Sequence, residues 1–232
     1  MSMVNPALKY SSLSDQVYTY LRRQLNQGEL LPGSTINIGE IALQLGISKT
    51  PLRDALIQLE LEGFVTILPR RGVRVNLLEM GDVKNAYEAI GLIEACIVTG
   101  CIDKIKPEHI KKLKKLNKTM IADIKRDDFS TFFETNLEFH DVFVELSENK
   151  LLRKFITPIK HRLYDFPRQS YISAWEKRNC EEHEQFIVSL EQGDAKEAAR
   201  ILQDLHWSFT YQKDFILQFY GPEKNQLPLS EK

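Results

Sequence analysis

Cysteine is scarce in these 232 residues: Cys96, Cys101 and Cys180 are the only three. Their odd number and the absence of a CxxC pair exclude a disulfide framework and a cysteine zinc site, and predict buried thiols in a reducing compartment. No apolar run approaches the ~20 residues that span a bilayer, so no membrane contact is expected. The opening MSMVNPALKYSS lacks the apolar core of a signal peptide, which makes the cytoplasm the expected location. No internal repeat or low-complexity tract occurs. There is no HExxH motif and no nucleophile arrangement to suggest an enzyme. Net charge is nearly absent, at −1.

That near-zero charge is unevenly spread. Residues 1–76 carry a net +2 and the remainder −3, a slightly basic head on an acidic body. The patterning changes at the same place. Residues 12–28 predict a helix, with Ser12 or Ser14 at its start, Leu13, Val17, Leu21 and Leu25 at four-residue steps, and Gly28 at its end. A turn at Pro32-Gly33 leads to a short helix from Ile38 to Leu45, with Asn37 and Glu40 in capping-box positions and Gly46 as the stop. Ser48 is the expected cap of a third helix, with Pro51 in its first turn and Gly63 beyond its end. FVTIL and GVRVN are β-branched runs around Pro69-Arg70-Arg71-Gly72, the pattern of a small hairpin with two arginines at its tip.

Two short helices joined by Gly46-Ile47 have the shape of a helix-turn-helix. The third helix buries Leu52, Ala55, Leu56 and Leu59, so Lys49, Thr50 and Arg53 project from its other face near the N-terminus. A recognition helix reads the major groove with its N-terminal residues, where Lys and Arg donate to guanine or phosphate and Thr to phosphate. Arg70 and Arg71 suit a wing touching backbone or minor groove, and Gly72 would let the main chain approach closely.

From Gly81 onward no strand signal survives. Helices are predicted at 82–103, 107–126, 128–147, 150–166, 173–192 and 194–219. The domains expected are therefore a winged helix-turn-helix at 1–76, a joint at 77–81, an all-α antiparallel bundle at 82–220 and a flexible tail at 221–232. Within the bundle, Phe129, Phe132, Phe133, Leu137, Phe143 and Val144 form one apolar face, and Asn136 and His140 fall on it. His183 falls on the face of Cys180, Phe186, Ile187 and Leu190. His206 falls on that of Ala198, Leu202, Leu205 and Phe209. Polar groups on core faces need partners. Three converging histidines point to a divalent metal (zinc, nickel or manganese) or a polar ligand cavity. His109 is expected to be exposed, and His161 to border the cavity.

The stretch GELLPGSTINIGEIALQLGISKTPLRDALIQLELEGFVTILPRRGVRV resembles the winged helix of the GntR family of bacterial transcription regulators, down to its S-[RK]-T-P-[LV]-R-[ED]-A-L core. That resemblance implies double-stranded DNA as partner and contacts from Ser48, Lys49, Thr50, Arg53, Arg71 and Gly72. Lys49 stands where relatives usually carry arginine, and Gly39 where some place a DNA-contacting arginine. NLEFHDVFVELSENKLL and EEHEQFIVSLEQGDAKEAARILQDLHW resemble the FCD-type ligand-binding domain of the FadR-like branch. This implies a metal held by Asn136, His140, His183 and His206, with a small organic acid completing the sphere. Asn136 replaces a commoner aspartate, which weakens the metal. Ile90 replaces an arginine that holds the effector carboxylate in relatives, while Glu94 is retained as an effector contact. The resulting expectation is a ligand-responsive regulator, in the commoner mode a repressor, binding an inverted repeat as a homodimer. The alternative is a metal-dependent enzyme using the three histidines, and a body serving only dimerisation is a third reading.

Overall fold

The computed structural model describes residues 12–164 and 171–221. The chain divides into a head that ends at Leu78 and a body that begins at Glu79.

In the head, helix α1 spans Leu13–Asn26 and α2 Ile38–Leu45, α3 follows at Lys49–Leu61, and strands β1 (Thr35–Ile36), β2 (Val65–Leu68) and β3 (Gly72–Val75) form a sheet ordered β1-β3-β2. A reciprocal Ser12–Asp15 capping box starts α1, each backbone N–H meeting the other's side chain at 2.9–3.1 Å. Val17, Leu21 and Leu25 are buried, while Leu13, in the first turn of the same stripe, is half exposed. Asn37 caps α2, and its amide donates to Glu40 at 2.8 Å. Leu52, Ala55, Leu56 and Leu59 of α3 are each at most 1% exposed and join the α1 stripe, Ile36 and Val73 in one core. Strand β1 did not emerge from the sequence. Two residues are too short for a periodic signal, and only pairing with β3, Thr35 opposite Arg74 and Ile36 opposite Val73, makes them a strand.

The body is α4 (Met80–Cys101), a 3₁₀ turn at Ile102–Lys104, α5 (Pro107–Arg126), α6 (Phe129–Val144), α7 (Lys150–Tyr164), α8 (Ser173–Glu191), α9 (Ala195–Arg200), a π-helical segment at Ile201–His206 and α10 (Lys213–Tyr220). Helix α5 packs on α6 and α8, and α4 packs on α6, α9 and the π segment. Phe132, Phe139, Phe143 and Phe186 fill the interior. The expected break at Pro167 and the tail from residue 222 lie outside the described residues.

Three expectations are corrected here. The single helix at 194–219 is α9, the π segment, an irregular stretch and α10. Periodicity reads straight through a π turn, which adds only one residue per turn. Cys96 is exposed; only Cys101 and Cys180 are buried, and burial pushes their thiols up to about 11 and about 12. Finally, residues Met80–Lys104 are long and apolar enough by composition to cross a membrane, an 18-residue window within them having a mean hydropathy of 1.3. The buried side of α4 instead contacts α6 and α9 and carries the fully buried, ion-paired Glu94 at its middle, as suits a core helix.

Candidate metal centre and nucleic-acid interface

The α3 tip is built by what its first turn cannot do. Ser48 is in the N-cap position, yet its side chain makes no cap hydrogen bond. A capping serine accepts from the N2 or N3 amide; here N3 is Pro51, which has none, and the Thr50 amide at N2 is not used. The hydroxyl expected to cap the helix is left outward, at the end where unpaired N–H groups and the helix dipole favour anions. Ser48, Lys49, Thr50 and Arg53 are all exposed.

At the wing, Leu68 pairs with Gly72, leaving Pro69, Arg70 and Arg71 as the loop. The Arg71 N–H donates to the Leu68 carbonyl at 3.0 Å. Pro69 thus sits where its fixed φ suits the turn, and Arg70 takes the next position at φ +62°. A left-handed backbone on a residue with a Cβ costs about 1–2 kcal/mol. Gly72, at φ +95°, follows, and a Cβ there would meet Thr35 at 3.4 Å. Its glycine is thus explained by the left-handed backbone of the turn. Arg70 and Arg71 are exposed.

In the body, His140 comes from α6, His183 from α8 and His206 from the end of the π segment. They are 0%, 1% and 6% exposed. Their ring centroids stand 5.3 Å (His140–His183), 5.0 Å (His140–His206) and 4.7 Å (His183–His206) apart. One nitrogen from each falls within 4.8 Å of the others. Asn136, one turn before His140 on α6, is also buried. Helical spacing therefore does bring the three predicted histidines together.

Two of the imidazoles are held from behind. His140 Nδ1 lies 2.9 Å from Oε2 of Glu94, and His206 Nδ1 lies 3.0 Å from Oε2 of Glu182. A carboxylate accepts only, so each Nδ1 carries a proton, and the neutral form of each ring leaves Nε2 bare. Trp207 Nε1 donates to the same Glu94 oxygen at 2.7 Å, and the other Glu94 oxygen is ion-paired with Lys160, itself 3% exposed. Burial disfavours the Glu94 charge, but His140 and Lys160 outweigh it and hold the carboxyl well below its usual range. Burial pulls His140 down to about 4 against the opposing effect of Glu94, and burial with the two neighbouring imidazoles pulls His183 well below 6.5. Both are neutral at neutral pH, as metal ligands must be.

The set fits a divalent metal. His183 stacks on Phe139 at 4.0 Å, and neither of its nitrogens has a hydrogen-bond partner among the described residues; nor does His140 Nε2. A buried polar atom left unpaired costs about 1–3 kcal/mol, and three together on facing imidazoles mark a place for a ligand. Imidazoles steadied through Nδ1 by carboxylates are the usual supports of such ions.

Other predicted residues fall elsewhere. Glu94 lies behind His140, with both oxygens engaged. His161 is a partly buried residue of α7, outside the histidine cluster. His109 is partly buried rather than exposed, and its Nδ1 accepts from the Lys106 N–H at 3.0 Å, closing the start of α5. Ile90 is fully buried. A cavity of about 240 Å³ opens beside Trp207, lined also by Lys84, Glu88, Leu92 and Gln203. Glu182, Lys160 and Gln212 were not foreseen. The only hint was Glu182 standing next to a core histidine in EEHE.

A winged helix with a basic tip, on one chain with a helical domain enclosing a polar centre, is an arrangement suited to regulation. The comparisons give the family. Residues 13–75 match the model of bacterial regulatory proteins of the gntR family, and residues 85–206 match the FCD domain. The chain belongs to the gntR family, in the form that carries an FCD domain. It is 28% identical over 149 residues to the HTH-type transcriptional repressor RspR of Escherichia coli (strain K12), a match spanning 64% of this chain and 65%, just under two thirds, of that relative. It is 29% identical over 168 residues to the Nta operon transcriptional regulator of Aminobacter aminovorans, spanning 72% of this chain and 77% of that one. Among solved structures, E. coli McbR/YncC superposes with a TM-score of 0.71 at 20% identity, covering 90% of this chain and 97% of the other. A GntR transcriptional regulator from Rhodococcus sp. RHA1 gives 0.65 at 16% identity, covering 91% and 99%. At these identities the structural likeness establishes the fold alone. These families and relatives are regulators of transcription, and the metal-dependent enzyme alternative is set aside.

Proposed function

We propose that this protein is a cytoplasmic, ligand-responsive repressor that binds double-stranded DNA as a homodimer. Ser48, Lys49, Thr50 and Arg53 enter the major groove, and Arg70, Arg71 and the Gly72 backbone track the sugar-phosphate chain. Two copies would set their recognition helices about one helical turn, ~34 Å, apart and read an inverted repeat. The repressor sign rests on the name given to RspR.

In the body, His140, His183 and His206 hold a divalent metal, zinc, nickel or manganese, with Asn136 as a weak fourth donor. When bound, the ion supplies a Lewis-acidic seat for the carboxylate of a small organic acid. Glu94 holds the His140 tautomer, Lys160 balances the Glu94 charge, and the phenylalanines exclude water. His161 stands as a further candidate contact for the acid. The observation that carries the reading is the cluster of three buried imidazoles, with His140 Nε2 and both His183 nitrogens unpaired among the described residues, alongside an exposed basic helix tip. The test is DNA affinity of the full chain on a duplex selected from a random pool, with and without zinc and an organic acid. A change of affinity on adding both is expected; no change with any acid removes the switch.

A further inference from the structure

The family match for the helical domain ends at residue 206. The hydrogen bonds that fix the last histidine of the cluster do not end there. His206 is held by Glu182, whose other oxygen accepts from Gln212 Nε2 at 2.9 Å. The same Gln212 nitrogen donates to the Leu205 carbonyl at 3.1 Å, inside the π segment that carries His206. Gln212 Oε1 accepts from Trp175 Nε1, also at 3.1 Å. Trp175 lies parallel to Phe215 of α10 at 5.9 Å, and Phe219 meets it edge-on at 5.8 Å.

The place of Gln212 makes this arrangement informative. It occupies the N-cap position of α10, where short Ser, Thr, Asp or Asn side chains are the usual caps. Its side chain makes no cap hydrogen bond. It is fully buried and points inward instead. A buried amide with two donated and one accepted hydrogen bond has one satisfied orientation, and rotating it would break all three. The Gln212 side chain thus serves the carboxylate behind His206 and not the start of α10.

We infer that the C-terminal arm, Trp207–Tyr220, is a working part of the metal centre: Gln212 is a positioning residue that fixes Glu182, and through it holds His206 with Nδ1 protonated and Nε2 bare. The arm's other contribution is Trp207, which holds Glu94 behind His140 in the same manner. Two of the three imidazoles are therefore set by residues beyond the family match. The inference rests on the metal reading above, but its first readout needs no metal.

The experiment uses the full chain, stripped with chelator, and reads histidine tautomers by long-range ¹⁵N–¹H correlation, followed by zinc affinity from competition with a chromophoric chelator. In the parent, His206 is expected to show a single tautomer, protonated at Nδ1. Gln212→Leu is expected to mix the tautomers and weaken zinc about tenfold, and Glu182→Gln to weaken it about 10–100-fold. Trp175→Phe keeps an aromatic ring beside Phe215 and removes the N–H with part of the indole, leaving Gln212 and Glu182 in place. It is expected to fold as the parent does and weaken zinc severalfold, so it decides the matter if Gln212→Leu does not fold. A merely structural arm would lower the melting temperature in these variants with His206 tautomer and zinc affinity unchanged, and that result overturns the inference. A parent that shows the single tautomer, lost in the variants, yet binds no zinc upholds the positioning and sinks the metal reading. A parent with mixed tautomers sinks the positioning, whatever zinc does.

Discussion

In the head, Lys49, Arg53, Arg70 and Arg71 stand exposed, and none of them is in an ion pair among the described residues. In the body, Glu94, Lys160, Glu182 and the three histidines are no more than 6% exposed, and all of them but His183 are held in ion pairs or hydrogen bonds with one another. Exposed cations act at a distance on any phosphate and are weakened by salt. Buried groups act only on a ligand that fits between them, and tolerate no loss of a partner. One unit is thus built to meet a large polyanion from outside, and the other to enclose a small ligand.

That contrast breaks most sharply at His183. His183→Leu is expected to weaken zinc by more than about a hundredfold, since losing only a supporting hydrogen bond already costs about 10–100-fold. The metal-free protein should be no less stable, because two unpaired ring nitrogens are replaced by an apolar group. Calorimetric zinc titration and chelated melting curves check the two halves. A severe loss of metal-free stability would mean that His183 has a structural partner.

Arg53→Ala is the counterpart in the head. It should cost about 1–3 kcal/mol of affinity for a selected duplex if the guanidinium reads a base. Zinc binding should be unchanged, and fluorescence anisotropy beside zinc titration compares them. Gly91→Ala tests the enclosure of the body. A Cβ there would meet Trp207 Cβ at 3.1 Å, so about 1–2 kcal/mol of stability should be lost through overpacking, read in denaturant unfolding. Arg71→Ala should flatten the dependence of DNA affinity on salt by about one phosphate contact. The smallest effect is expected at the wing tip. Arg70→Gly relieves the backbone at φ +62° and should stabilise the head by up to about 1 kcal/mol. The same change should weaken binding to all duplexes alike.

What could be read from the sequence divides along the same line. The α3 stripe, the arginine-tipped hairpin and the histidines on three helix faces all follow from local spacing. Each needs only a period of 3.6 or 2 and a few turn residues. The supports of the centre do not. Lys160 lies on an amphipathic helix rich in exposed cations, and periodicity assigns it to solvent. Its burial depends on Glu94, 66 positions earlier in the chain. Glu182 precedes His183, and neighbours on a helix diverge by about 100°. That divergence turns Glu182 toward His206, which only the fold discloses. Gln212 lies past a π turn that the helical period could not detect, at a cap position where it does not cap. Ser48 reads as a cap for the converse reason: the rule is sound, but one of the two amides it could meet belongs to a proline and the other goes unused.

The most direct test of the division of labour is a salt series of DNA binding by the full chain, first on random duplex at low salt and then on the selected sequence, with and without zinc and an organic acid. Steeply salt-dependent binding to any duplex, tighter binding to a selected inverted repeat, and a shift on adding metal and acid together are predicted. A chain that ignores every duplex at low salt, with its α3 tip covered by protein in the assembly it forms, would contradict it.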